Sequence, residues 1–141
     1  MVIQRWQTLC LLVAVILMAG LDFVPLAWAT DNLSVDSCTA VYATEFPILV
    51  ILGALTAVLL FIDMFMYKNL RAQMRVAVLC VVLMLGLAVT AGILVGTQLP
   101  GACIAWSGAV PMLAGALIFT LGARMLMRRD YNLLHNADRL R

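Results

Sequence analysis

The chain has 141 residues, of which 65% are hydrophobic and only 11% charged, and its mean hydropathy is +1.08. A soluble domain averages roughly 45–50% apolar and 25% charged residues, so this excess is more than one small water-facing core can bury. The length has room for four bilayer spans of about 20 residues and excludes a separate extramembrane domain, and a net charge of +2 without a basic stripe excludes a nucleic-acid footprint.

Continuous rather than alternating apolar runs predict four helices, with spans at about 9–28, 46–67, 76–96 and 104–126 and a polar tail at 127–141. The first run extends from Leu9 to Leu21, meets Asp22 and resumes through Phe23, Pro25 and Trp28 to Ala29. Arg5, this run and Ala27-Trp28-Ala29 also have the layout of a secretory signal peptide, which would be cleaved after Ala29. A retained first helix is the favoured expectation, since the run reaches the length of a full span, with Pro25 marking a helix end and Trp28 an interfacial anchor. The connection from about Thr30 to Glu45 carries three acids and Cys38, and Thr44-Glu45-Phe46-Pro47 reads as a capped helix start.

The second run, Phe46 to Tyr67, carries one charge, Asp63. The third, Val76 to Gly96, carries none. Thr97 to Cys103 connects it to the fourth, Ile104 to Leu126, where Ser107 is expected as a cap with Pro111 in the opening turn, or Pro111 as a kink. Beyond it the tail is expected to continue as a short helix with Leu133, Leu134 and Leu140 against the membrane surface and its arginines toward lipid phosphates.

Short connections make neighbouring helices antiparallel, so the expected fold is all-α, a four-helix transmembrane bundle running up-down-up-down. All nine basic residues fall on one side of it: Arg5, then Lys68, Arg71 and Arg75, then Arg124, Arg128, Arg129, Arg139 and Arg141. By the positive-inside rule both termini are expected in the cytoplasm. Ala88, Gly92 and Gly96, like Gly53 and Ala57, recur every four residues and predict close helix packing.

An ionisable residue inside a span is a functional candidate by default. Asp63 lies near the end of its span and is expected to form a structural ion pair with Lys68 or Arg71. Asp22 has no base on its side of the membrane. It is either bonded to Thr90 or Ser107, solvated, neutral, or a site for a proton or cation. Cys38 and Cys103 fall in the two outer connections and could form a disulfide, whereas Cys10 and Cys80 read as small buried hydrophobes. His135 stands alone, and no metal-ligand spacing or nucleophile–base pair is present, so neither a catalytic residue nor a cofactor is expected. Asp138, Arg139, Leu140 and Arg141 close the chain as a candidate docking tail.

The opening Ile3-Gln4-Arg5-Trp6-Gln7-Thr8 and the closing Asn136-Ala137-Asp138-Arg139-Leu140-Arg141 resemble a bacterial family of small four-span inner-membrane proteins of unknown function. Its members begin in the style Met-Ile-Gln-Arg-x-Gln-Thr and end in the style Ser-Ala-Asp-Arg-Leu-Arg; here Val2 is inserted and Asn136 replaces the serine. The resemblance implies a retained first helix and a bacterial envelope location, and it assigns no activity. The layout is also similar to the four-helix quinone-coupled thiol oxidoreductases and to small multidrug exporters, but the C-x-x-C pair of the former is missing and the acid is displaced from its place in the latter. The leading expectation is a non-catalytic accessory or scaffold subunit in the lipid bilayer, partnered by other membrane proteins or by copies of itself. A small oligomeric transporter using Asp22 is second and a membrane thiol-redox enzyme third.

Overall fold

The computed structural model describes residues 2–30, 38–66, 69–98 and 107–139. Helix α1 (Val2–Gly20) stops well short of the expected residue 28, and the chain turns through a single 3-10 turn at Leu21–Phe23. Pro25 is the cause. The residue before a proline is pushed out of helical geometry, and Val24 is extended, with φ −111° and ψ 140°. What read as the end of a span is therefore a strand, β1 (Pro25–Thr30), paired antiparallel with β2 (Cys38–Tyr42). Pro25 takes the first strand position, where its missing donor costs least. Trp28 lies opposite Ala40 in the ladder rather than on a helix.

A second 3-10 turn at Ala43–Glu45 follows, in which the Glu45 carboxylate accepts from the Tyr42 N–H at 3.5 Å. The acid expected to cap the second helix thus caps the turn before it. Helix α2 (Pro47–Phe65) starts with Pro47 in its first turn, where the lost N–H has no helical partner in any case. Helices α3 (Leu70–Gln98) and α4 (Ala109–Arg139) are much longer than a bilayer requires. The tail is helical, as expected. It continues α4 without a break, since no glycine or proline occurs between Ala123 and Arg139.

Four helices are long and apolar enough to cross a membrane. They pack in a ring, each against its neighbours in sequence and α1 most extensively against α4. The buried positions step by alternating threes and fours: Gln7, Leu11, Ala14 and Met18 on α1, continued by Leu21 in the 3-10 turn, and Leu49, Gly53, Thr56, Leu60 and Asp63 on α2. Gln73, Ala77, Cys80, Met84 and Leu87 on α3 follow the same rhythm, as do Ala116, Thr120, Ala123 and Met127 on α4. That is the heptad spacing of helices crossing at about 20° in a left-handed bundle. Outward positions are apolar as well; Ile51 and Ile118 are each 68% exposed, which suits lipid. Thr56 and Thr120, fully buried, return their hydroxyls to the carbonyls of Leu52 and Ala116 at 2.7 Å.

Small residues bring α1 and α4 together. A Cβ on Gly115 would meet Leu17 at 3.1 Å, and one on Gly108 would run into Val24 Cγ1. Gly53 faces Leu87 of α3, where a Cβ would make an ordinary contact at 3.6 Å, and Gly92 and Gly96 open onto empty space. The Ala88–Gly92–Gly96 face is thus not used within the chain, because Leu87 and Met84 occupy the inward register instead. Since the branched Val24 cannot swing aside as a longer side chain would, Gly108→Ala should cost about 1–3 kcal/mol as overpacking. The thermal midpoint of the detergent-solubilised protein should fall by several degrees, while Gly92→Ala leaves it unchanged.

Candidate functional sites at the two ends of the bundle

At the end where α1 and α3 begin and α2 finishes, the heptad positions turn polar. Gln7, Asp63 and Gln73 are all buried there. The Gln7 amide donates to the Asp130 carboxylate at 2.8 Å, tying α1 to α4. The Gln73 amide donates to the backbone carbonyl of Asp63 at 3.1 Å, tying α3 to α2. Neither carboxyl oxygen of Asp63 has a hydrogen-bond partner, and neither does Gln73 Oε1.

The expected ion pair between Asp63 and Arg71 is not formed. Arg71 stands two residues before the inward-facing Gln73, on the opposite side of the helix. Its Nε donates to the Tyr131 hydroxyl at 2.9 Å, and its guanidinium carbon lies 5.2 Å from that ring's centroid. Tyr131 in turn stacks on His135 one turn later, with centroids 6.1 Å apart. Lys68 lies outside the described residues.

Asp22 sits at the other end, in the 3-10 turn after α1, so the cost of a carboxylate in the middle of a spanning helix does not arise. Its Oδ1 is buried and unpartnered. Thr90 donates to the Gly86 and Leu87 carbonyls of its own helix, and the Ser107 hydroxyl is buried without a partner, so neither meets Asp22. An open groove of about 290 Å³ between α1 and α2 runs past the carboxyl, walled by Met18, Ala19, Gly53, Ala54 and Ala57. Gly53 faces the carboxyl across the groove, where a Cβ would lie 4.0 Å from Asp22 Oδ1, an ordinary contact.

On the far side, α3 and α4 part to leave an apolar cleft of about 300 Å³, where the small residues Ala88, Ala91, Gly92, Ala109 and Ala114 alternate with larger leucines and valines of both helices, and Leu21 and Leu26 also line it. Among the described residues no three histidine, cysteine or acidic side chains come together. Cys10 and Cys80 are free thiols. Cys103 lies outside the described residues, and with it the expected bridge to Cys38. Asp138 and Arg139 continue the backbone of α4, while Leu140 and Arg141 lie outside the described residues.

The model of a domain of unknown function, DUF4293, matches residues 3–140. The chain belongs to the DUF4293 family. No curated protein and no solved structure matches it. The family match covers all four helices, each long and apolar enough to cross a membrane, and the cleft.

Gln7, Gln73, Asp130 and Tyr131 were not singled out in the sequence, although the rhythm that holds them was present. Counting back from Leu11 and Ala77 by four reaches Gln7 and Gln73, and counting on from Leu60 by three reaches Asp63. The Gln7–Asp130 bond is partly buried and charge-assisted, of a kind worth about 1.5–3 kcal/mol before discounting for its exposure. Gln7→Ala should lower the thermal midpoint of the DUF4293 chain by several degrees. Asp130→Asn, which keeps an acceptor, should lower it less.

Proposed function

We propose that the protein is a non-catalytic accessory or scaffold subunit of a larger assembly in the bacterial inner membrane, with both termini in the cytoplasm. The observation that carries this reading is the cleft between α3 and α4. Helices associate in lipid by close packing of small residues, since burial from water no longer drives contact. Here Ala88, Ala91, Gly92, Ala109 and Ala114 line an open surface that no helix of the chain occupies. The proposed occupant is a transmembrane helix of another protein. The concentration of all nine basic residues toward the terminal end supports the orientation. Purification in mild detergent followed by mass spectrometry should recover at least one membrane protein in near-equimolar amount, and Gly92→Leu should reduce that recovery several-fold while leaving the thermal midpoint in place. Recovery of homo-oligomers alone removes the reading.

A small oligomeric transporter is the second reading, favoured by the unpartnered Asp22 oxygen beside its groove. In reconstituted vesicles Asp22→Asn should then abolish ion or substrate flux; equal flux through both forms retires it.

A further inference from the structure

Three oxygen acceptors are buried together in the corner between the end of α2 and the start of α3: both carboxyl oxygens of Asp63 and Oε1 of Gln73. Asp63 is 0% exposed and Gln73 3%. One N–H of the Gln73 amide donates to the Asp63 backbone carbonyl at 3.1 Å, a carbonyl that also accepts from the Met66 N–H at 3.1 Å. No donor reaches any of the three acceptors of the corner. A buried carboxylate in that condition lacks compensation for the hydration it has lost.

The surrounding charged groups do not supply the missing donor. On α3, Arg71 is engaged by Tyr131, and the exposed Arg75 donates to the Arg71 carbonyl at 3.4 Å. Cys80, fully buried, is the titratable group of α3 that interacts electrostatically with Asp63. On α1 the buried polar group is Gln7, which is held by Asp130 of α4. Tyr131 and His135 of α4 stack on one another. Lys68, in the connection between α2 and α3, falls outside the described residues.

We infer that Asp63 and Gln73 form a proton-binding site, in which Asp63 is the neutral acid and its O–H donates to Gln73 Oε1. One proton taken from water forms one O–H bond, cancels the charge and converts one of the three acceptors into a donor. No other single small ligand does all of this without needing a cavity of its own. The bond adds a side-chain tie between α2 and α3 to the backbone tie already present. Removing the proton returns a charge and three bare acceptors to a dry corner, so the ends of α2 and α3 loosen.

Infrared difference spectroscopy on the full chain in detergent tests the site directly. At neutral pH the wild type minus Asp63→Asn spectrum should contain the carbonyl band of one protonated carboxylic acid, shifted in heavy water and unchanged when sodium chloride is replaced by choline chloride. Gln73→Leu should move that band toward the position of an unbonded acid. Labelling the wild type with carboxyl-¹³C aspartate gives a reading that needs no variant: a protonated-acid band that shifts with the label is expected. Carboxylate bands alone overturn the proposal. So does a protonated band that appears only after sodium is removed, which assigns the corner to a metal cation, or one lost in Asp22→Asn and kept in Asp63→Asn, which assigns the proton to the other end.

Discussion

Lipid on the outside of the bundle sets the terms for everything inside it. The outward faces of α2 and of the first half of α4 are apolar, with Ile51 and Ile118 largely exposed, so these side chains gain nothing by turning inward. Association must then come from contacts that lipid cannot imitate. Two kinds are present: close approach over small residues, as at Gly108 against Val24 and Gly115 against Leu17, and hydrogen bonds between helices, as at Gln7 with Asp130 and Arg71 with Tyr131. Several of the polar side chains of the chain are consequently interior, a distribution opposite to that of a water-soluble bundle.

The two kinds of contact are divided along the bundle axis. At the hairpin end, α1 gives way to β1 and packing dominates, with Leu26 and Ala27 buried beneath the start of α4. At the terminal end packing yields to polar ties, one between α1 and α4, one between α2 and α3, and one between α3 and α4. Only the α2–α3 tie leaves oxygens unanswered. A ring of helices bound by distinct ties at one end and by steric fit at the other can relax at its polar end without disturbing the packed one.

The number and sequence of the helices were legible in composition and run length because hydrophobicity over about 20 residues is a strong signal. The end of the first helix was not. An apolar stretch containing Pro25 suits a strand as well as the last turn of a span, and hydropathy does not distinguish them; the backbone restriction that proline places on Val24 decides. Asp22 and Asp63 were visible as exceptions, but their surroundings depended on helix rotation. Pairing by nearness in sequence suggested Arg71 for Asp63, whereas two residues along α3 turn a side chain through more than half a circle, and Gln73 took the place. The small-residue face of α3 was likewise recognisable as a face, while its direction, away from the bundle, followed only from the inward register of Leu87.

Helix length has a consequence beyond topology. At about 1.5 Å per residue, α1 and α2 rise about 28 Å, close to the hydrocarbon thickness, whereas α3 rises about 44 Å and α4 about 46 Å. Because α1 and α2 are neighbours, and α3 and α4 are neighbours, the molecule has a low flank and a tall flank. In the plane of the bilayer it is a compass rather than a cylinder. A neighbour on the low flank meets little but hydrocarbon-buried surface, while one on the tall flank finds helix continuing into the headgroups, on the same side as the open cleft.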